Sequence, residues 1–384
     1  MSRRGAMSVN KNVYPLAKSQ KYCLWMNMPS HHQLDFIKAL HESDIDMVVR
    51  YYGQVDERRK IMGWDSAPRL GKFSKYFKSS IDTLDESIPD WRERVHVIPG
   101  TVGNKFLMAL VDRLIREKVN WVHWSEDVKP GWSRIIRLPF RKRYGKKINR
   151  YALGALAISK SAETEFISWG IASKKIRWLP YAANPLIESY NVNDKIKKFI
   201  QNKFVFMFSG ALCQRKATDL LLKSYKRITE HYQNVALIMI GPDTTEQYYK
   251  AYAEKSNISK DKILFTGSVA YEQMQSLLPL CDVFILPSRR DGWGMVIYEA
   301  ASIGKAIIAT ERCGAAHHII IDGLNGFRIA ADDVDALTNA MIKYVKSPGM
   351  TTIHGAHSKI VATFFYPSKN VERFLCAMES FLRM

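Results

Sequence analysis

Residues 283–299 read VFILPSRRDGWGMVIYE and contain a sharp change of pattern. The apolar run 283–286 stops at Pro287, and Gly292 and Gly294 then lead into an amphipathic segment. This order predicts a buried strand, a loop and the first turns of a helix. Such a junction directs free backbone N–H groups towards an anion.

Two carboxylates flank this junction. Asp291 precedes the loop, and Glu299 lies in the second turn of the predicted helix. A helix N-terminus favours negative charge, but two acidic groups beside it suit sugar hydroxyls better than phosphate oxygens. The stretch therefore predicts a ligand with a phosphate and a polyol, such as a nucleotide sugar. An ordinary βα unit with a capping Asp has the same pattern.

The composition excludes several classes of protein. The chain has 384 residues, 47% of them hydrophobic, which suggests two domains. Its five cysteines include no C-x-x-C pair and predict reduced thiols in a cytosolic protein, not a disulfide framework or a zinc site. The N-terminus lacks the apolar core of a signal peptide. No apolar run approaches the roughly 20 residues that span a bilayer, so we expect a soluble protein.

The net charge of +20 is concentrated in the first part of the chain, where residues 1–150 hold 29 basic and 16 acidic residues. The segment 134–150, RIIRLPFRKRYGKKINR, has eight basic residues and no acid, with Ile, Leu and Phe interleaved. Such a segment suits an anionic lipid surface, at about 1 kcal/mol per basic residue. Nucleic acid would attract it too, and a solvated basic loop is the third interpretation.

Strand and helix patterns alternate along the chain and restart once. We expect an N-terminal Rossmann-like domain over residues 1–184, a polar linker over 185–203 and a second Rossmann-like domain over 204–364. Residues 365–384 are expected to form a C-terminal helix that packs back on the N-terminal domain. Residues 57–80 are basic with a few aromatics and predict a mobile loop or surface helix. The alternation indicates doubly wound parallel sheets, with the ligand in the cleft between them.

Five motifs in the second half occur in a recognisable order. They are SGALCQRKATDLLLKSY (209–225), VALIMIGPD (235–243), ILFTGSV (263–269), VFILPSRRDGWGMVIYEAASIGKAIIAT (283–310) and CGAAHHIIIDGLNGFRI (313–329). Together they resemble the retaining glycosyltransferases of family 4, continuously over residues 204–345. The resemblance implies the GT-B fold, an α/β architecture of two facing Rossmann-like domains. The first half matches only in its general βα pattern.

The resemblance implies roles for individual residues of the donor site. Glu299 matches the glutamate that holds the ribose hydroxyls, and Lys216 matches the phosphate-binding lysine. Asp291 stands where the family has a Glu that contacts the transferred sugar. Because Asp is one methylene shorter, the sugar and its pose stay open. Gly210 is followed by Ala211, not by the family's Arg, so either Arg215 supplies that cation or none is needed.

Backbone positions of the donor site follow from the same resemblance. One group matches the loop whose N–H groups meet the distal phosphate, and the other matches the edge that reads the base. These groups are Gly292, Trp293, Gly294 and Met295, and Gly267, Ser268 and Val269, respectively.

The first half offers fewer candidates. His123 follows WV at a predicted strand end and is similar to the family's histidine that faces the donor sugar. A histidine at a strand end is equally well explained by packing or a hydrogen bond in the core. His31 and His32 occupy the loop where many relatives carry glycines.

The sequence thus predicts a retaining glycosyltransferase that moves a sugar from a nucleotide-sugar donor to a hydroxyl acceptor. The basic first half favours a lipid-linked acceptor, such as a polyprenyl-diphosphate glycan or lipopolysaccharide precursor. We expect catalysis by Asp291, Lys216 and His123 without a metal or other cofactor, because no Asp-x-Asp stands at a strand end. The protein would lie on the cytoplasmic face of an anionic membrane through residues 134–150, without binding nucleic acid. A GT-B sugar-nucleotide epimerase and a basic nucleic-acid-binding protein are the alternatives.

Overall fold

The computed structural model describes residues 13–53 (the side chains of His31 and His32 excepted), 73–77, 80–100, 103–128, 135–189, 191–245 and 247–384. The described residues form two compact units, each with its own parallel sheet. Among the described residues, the first unit contains those up to Asn184 together with Phe365–Met384, and the second contains those in Pro185–Phe364.

The described part of the first unit contains a parallel sheet in the order β3-β2-β1-β4-β5-β6-β7. Five of these strands, β1, β2, β4, β5 and β6, are buried along all or nearly all of their length, because helices cover both faces of such a sheet. The strands are β1 (Lys21–Met26), β2 (Met47–Tyr51), β3 (Ser74–Tyr76), β4 (Arg94–Ile98), β5 (Trp121–Ser125), β6 (Gly154–Ala157) and β7 (Ile176–Trp178).

Most helices of the first unit lie between these strands in the chain. Its core includes the buried rings of Trp25, Trp91, Trp121 and Phe166. The helices are α1 (Pro15–Lys18), α2 (His31–Glu42), α3 (Leu84–Ser87), α4 (Lys105–Arg116), α5 (Leu138–Tyr151) and α6 (Lys160–Ser168).

Three local predictions for the first unit change. The basic segment 134–150 is mostly the helix α5, and Arg134 lies outside the described residues. His31 and His32 begin α2 and do not form a loop. Much of 57–80 also lies outside the described residues, but β3 pairs with β2 at its end. Strand β3 has only three residues, which are too few to show the alternation typical of a strand.

The described part of the second unit has a parallel sheet in the order β10-β9-β8-β11-β12-β13. This is the doubly wound order in which the direction of winding reverses once, here between β8 and β11. The strands are β8 (Phe204–Ser209), β9 (Val235–Ile240), β10 (Ile263–Gly267), β11 (Val283–Leu286), β12 (Ala306–Thr310) and β13 (Gly326–Ile329).

The helices of the second unit begin within the predicted linker, where the polar segment 185–203 contains a helix capped by Asn193. They are α7 (Asp194–Ile200), α8 (Thr218–His231), α9 (Tyr248–Lys255), α10 (Tyr271–Leu277), α11 (Met295–Ser302), α12 (Ala316–Ile319), α13 (Val334–Lys346) and α14 (Gly349–Ala362).

The last helix, α15 (Pro367–Leu382), belongs to the first unit. The amide of Asn370 donates to the carbonyl oxygen of Pro180, and Glu379 accepts a hydrogen bond of 2.9 Å from the backbone N–H of Ala17. A Cβ atom at Gly154 would lie 2.4 Å from the ring of Phe381. The helix therefore completes the core beside β6 and β7.

Within the described residues, no helix is long and apolar enough to cross a membrane.

Candidate functional site

The predicted donor-site residues of the second unit gather at the carboxyl ends of β8 and β11. These two strands pair with each other at the point where the winding of the sheet reverses. Because the connections after them leave towards opposite faces of the sheet, a crevice opens at this point in doubly wound folds. The loop after β8 carries Gly210 and Lys216, and the loop after β11 carries Asp291 and Gly294.

The loop after β11 is held in a fixed shape. Gly294 has φ +89° and precedes the first residue of α11, a conformation that favours glycine. The backbone N–H of Ala315 donates to the carbonyl of Trp293 over 2.8 Å. A Cβ atom at Gly314, in the loop after β12, would lie 2.2 Å from the carbonyl oxygen of Gly292. The loops after β11 and β12 are therefore in backbone contact. The free N–H groups at the start of α11 are therefore positioned before any ligand arrives.

Lys216 and Asp291 join the loop after β8 to the loop after β11. The ammonium group of Lys216 donates a hydrogen bond to the carboxylate of Asp291, and both side chains are largely buried. A Cβ atom at Gly210, where φ is +151°, would lie 3.2 Å from Cε of Lys216. The glycine therefore makes the space through which the lysine reaches Asp291. The pair places a cation beside the N-terminus of α11.

Arg215 is the more exposed of the two neighbouring cations. Its side chain is 44% exposed, against 11% for Lys216. Its guanidinium lies 3.9 Å from the Asp291 carboxylate and donates to the carbonyl of Arg290 over 3.2 Å. It stands at the mouth of the loop pair and has solvent on one side.

Arg289 was not selected from the sequence, although it organises the site. It makes two hydrogen bonds of 2.7 Å to the carboxylate of Asp219 in the first turn of α8 and one of 2.6 Å to the carbonyl of Gln214. A fourth, of 2.6 Å, goes to Asp332. The hydrogen bonds to Asp219 raise the pKa of Arg289. The sequence feature that could have indicated Arg289 is its position directly after Pro-Ser, at the end of β11.

Glu299 lies in the second turn of α11 and is 8% exposed. Burial raises the pKa of its carboxyl group from 4.5 to about 7. The carboxyl group therefore changes between its protonated and ionised forms near neutral pH. A group that donates hydrogen bonds to the ionised form would lower this pKa again.

The edge at β10 is connected to the same loops through glycines. The N–H of Gly241 donates to the carbonyl of Gly267 over 2.8 Å. A Cβ atom at Gly241 would lie 2.1 Å from the carbonyl oxygen of Gly210. Ser268 is exposed and Val269 is partly exposed, so backbone groups of this edge face solvent. The ends of β8, β9 and β10 thus meet without intervening side chains.

The structure places His123 in the core of the first unit, which corrects its predicted contact with the donor. The imidazole has no exposed surface. Its Nε2 lies 2.9 Å from the hydroxyl of Ser125 and its Nδ1 lies 3.4 Å from the hydroxyl of Tyr144. The rings of Phe166 and Trp169 pack against it. Burial lowers its pKa to about 3, so it is neutral at pH 7. The sequence pattern could not distinguish this packed histidine from one that faces a ligand.

The basic segment is also less uniform than its composition suggests. Arg141 is 5% exposed and lies 4.0 Å from Glu165, and Lys147 forms an ion pair with Asp112 of α4. The face of α5 that points to solvent carries Lys142, Lys146 and Arg150. A third face lines a cavity together with α4.

No group of three His, Cys, Asp or Glu side chains that could hold a metal ion occurs among the residues that the structure describes.

Comparison with known proteins finds a family model and several relatives that match part of the chain. Residues 190–357 match the family model described as "Glycosyl transferases group 1". An uncharacterized glycosyltransferase of Methanocaldococcus jannaschii is 27% identical over 224 residues, 57% of this chain and 56% of that protein. The lipopolysaccharide core biosynthesis mannosyltransferase LpcC of Rhizobium leguminosarum is 27% identical over 155 residues, 39% of this chain and 43% of that protein. The chain thus matches about half the length of these relatives.

The fold extends over almost the whole chain. The crystal structure of Alr3699/HepE from Anabaena, in complex with UDP, superposes with a TM-score of 0.74, at 17% identity, over 94% of this chain and all of that one. The predicted GT-B fold, with two Rossmann-like parallel-sheet units, is therefore confirmed. The family match also confirms, for the second unit, the resemblance to glycosyltransferases in its motifs.

Proposed function

We propose that this protein is a retaining glycosyltransferase that moves a sugar from a nucleotide-sugar donor to a hydroxyl group of a lipid-linked glycan. The observation that carries the proposal is the pair of Lys216 and Asp291. It joins the two loops at the reversal point of the second sheet and lies beside the N-terminus of α11. A cation, a carboxylate and free N–H groups at one point suit a diphosphate with a sugar attached.

The cations and N–H groups would act on the leaving group. When the bond between the anomeric carbon and the phosphate oxygen breaks, negative charge builds up on the nucleoside diphosphate. Lys216 and the N-terminus of α11 would stabilise that charge where it develops, in a partly buried place where such interactions are strong. Arg215 would contribute less, because it is more exposed. No metal is required by this account.

Asp291 would have two tasks in succession. Without donor, it holds the ammonium group of Lys216 in place. With donor bound, the lysine would contact phosphate oxygens, and the carboxylate would be available to a sugar hydroxyl. Retention of configuration then requires that the acceptor oxygen attack the face that the leaving group vacates. The acceptor proton passes to the departing phosphate oxygen, so no separate base is needed and the buried His123 takes no part.

Glu299 would bind the ribose. Its ionised carboxylate accepts hydrogen bonds, whereas the protonated acid accepts fewer. Because burial raises its pKa to about 7, two ribose hydroxyls would supply the hydrogen bonds that favour the ionised form. Gly267 and the exposed backbone after it would face the base.

Two of the similar proteins support the substrates named here. LpcC is described as acting in lipopolysaccharide core biosynthesis, which fits a lipid-linked glycan acceptor. HepE was crystallised with UDP, which fits a nucleotide donor. The outward cations of α5, with Ile135, Ile136 and Phe140 exposed nearby, fit peripheral attachment to the cytoplasmic face of an anionic membrane.

The function is tested by adding a panel of nucleotide sugars to the purified protein with and without lipid-linked glycans. We expect nucleoside diphosphate to be released only when acceptor is present, and the product to keep the donor's anomeric configuration by NMR. Glu299→Ala should weaken donor binding at least about tenfold, since each charged hydrogen bond is worth about 1.5–3 kcal/mol. Glu272→Ala, an exposed acid on α10, is the matched control. Acceptor-independent conversion of the donor sugar would indicate an epimerase instead.

A further inference from the structure

A cavity of about 480 Å³ lies in the first unit, between α4 and α5. Gly103 and Met108 form one side. Helix α5 and the residue before it form the other, with Arg137, Phe140, Arg143, Tyr144 and Lys147. These five positions lie on one face of a helix with 3.6 residues per turn. The volume is in the range of a small-molecule site.

The lining of this cavity is amphipathic. Tyr144 is almost fully buried and forms an aromatic wall, and Met108 is partly buried beside it. Phe140, at the rim, is 66% exposed, and the neighbouring Ile135 and Ile136 are 63% and 67% exposed. Apolar side chains are therefore present inside the cavity, at its rim and on the nearby surface of the unit.

The charge of the cavity is positive and comes chiefly from two arginines. Lys147 is largely neutralised by its ion pair with Asp112. Arg137 and Arg143 have no acidic partner among the described residues. The guanidinium of Arg137 lies beside Gly103, where a Cβ atom would be 3.4 Å from Nη1. A guanidinium matches the geometry of a phosphate group better than an ammonium does.

We propose that this cavity binds the phosphate end of a single phosphorylated lipid, with the hydrocarbon chain leaving over Phe140 towards Ile135 and Ile136. Two arginines without acidic partners in the described part of the chain fit the phosphate, and the exposed apolar side chains at and beside the rim fit the hydrocarbon chain. This inference rests on the proposed function: the bound lipid is then the acceptor of the transferred sugar. The acceptor therefore belongs to the class of lipid-linked phosphates or diphosphates. This site differs from the outward face of α5, which meets the membrane surface as a whole.

The binding test uses decyl phosphate below its critical micelle concentration, with inorganic phosphate and decanol as partial probes, in isothermal titration calorimetry of the full-length protein. The wild type should bind decyl phosphate at least about tenfold more tightly than either partial probe. The pair Arg137→Gln and Arg143→Gln should weaken it by at least about tenfold. Phe140→Ser should lower the affinity for decyl phosphate and leave the affinity for inorganic phosphate unchanged. Tm is compared first, to show that each variant folds.

The control pair is Lys142→Gln and Lys146→Gln, which removes the same charge from the outward face of the same helix. It should change the affinity for decyl phosphate by less than about twofold. Equal losses in the two pairs would mean attraction to a charged surface and would overturn the site. So would equal affinity for inorganic phosphate, or no binding by the wild type. Binding of nucleoside diphosphate is measured in the same samples, so failure of the donor site is seen separately.

Discussion

Lys216 and Asp291 illustrate what a single contact adds to a motif. The motif alone suggested a shortened sugar-binding acid, and the structure shows this acid bonded to Lys216, the lysine that we propose binds phosphate. The carboxylate of Asp291 is therefore already engaged by a cation before any donor arrives. Discrimination between donor sugars should therefore depend on how the donor separates this pair.

Lys216→Ala should lower kcat by about a hundredfold and affect KM less, because the charge that the lysine meets grows in the transition state. Arg215→Ala should lower kcat by about tenfold or less, since that guanidinium is more exposed. Steady-state kinetics with a soluble acceptor measure both. A larger loss for Arg215→Ala would exchange the two assignments.

Glu299 should make stability depend on pH. Its folded-state pKa of about 7 is above the ordinary 4.5, so its stabilising effect is complete below pH 4.5 and is lost as pH rises through 7. Glu299→Gln removes this loss. The free energy of unfolding of the variant relative to wild type should therefore rise by roughly 2–3 kcal/mol between pH 4.5 and pH 8, at about 1.4 kcal/mol per pKa unit. Urea denaturation at several pH values measures it, and a constant difference would show that Glu299 does not titrate in this range.

Removal of divalent metals should leave activity intact. The charge on the leaving group is expected to be balanced by Lys216 and by the N–H groups of α11. Turnover is therefore compared before and after dialysis against EDTA. Complete loss of turnover that added Mg²⁺ or Mn²⁺ restores would contradict this account.

Among the secondary-structure elements, Arg289 connects three parts of the site. Its guanidinium joins the loop after β11 to the 214–216 turn and to the first turn of α8. Although burial opposes it, the hydrogen bond from Arg289 lowers the pKa of Asp219. The position of Lys216 therefore depends on a residue that need not touch the ligand.

Arg289→Ala should lower the free energy of unfolding by about 2–3 kcal/mol, because it breaks charged hydrogen bonds and leaves a partly buried carboxylate without its partner. Arg289→Lys should recover only part of this, since an ammonium cannot form the two parallel bonds to Asp219. Arg312→Ala, an exposed arginine of the same unit, should change stability by less than about 0.5 kcal/mol. Similar losses for the two alanine variants would show that the network around Arg289 does not stabilise the unit.

At the scale of the whole molecule, the two proposed activities, donor binding and membrane attachment, fall in different units. Each has its own parallel sheet, and α15 returns to the first unit after the second is complete. The residues proposed to bind the donor lie in the second unit, and the basic helix α5 lies in the first. Membrane attachment and donor binding should therefore respond to different substitutions.

Binding to anionic vesicles should depend on the outward face of α5. Changing Lys142, Lys146 and Arg150 to Gln should lower the affinity for phosphatidylserine vesicles by about a hundredfold, at about 1 kcal/mol per cation. Co-sedimentation with the vesicles measures this affinity. Changing Lys195, Lys197 and Lys198 of α7 removes the same charge from the second unit and should have little effect. Binding should also weaken between 0.1 M and 1 M salt, as the Debye length falls from about 10 Å to about 3 Å. Equal loss in both triple variants would mean that net charge alone attracts the membrane.

The sequence by itself determined the parallel α/β architecture and the two loops that we propose bind the donor. Apolar strands ending in glycine loops and alternating with amphipathic helices are local patterns, and local patterns are readable along a chain. The motifs around Lys216, Asp291 and Gly294 were identified for this reason. The short strand β3 and the helix α7 were missed because each is too brief, or too polar, to show its period.

Only the tertiary structure decided which of the candidate side chains are buried and which are exposed. His123 has the sequence surroundings of a site residue, but its ring nitrogens are already bonded to Ser125 and Tyr144. Eight similar basic residues in 134–150 include one buried beside Glu165 and others that face a cavity or solvent. Burial, pairing and the pKa of Glu299 depend on neighbours that are distant in the sequence, and packing brings these neighbours together.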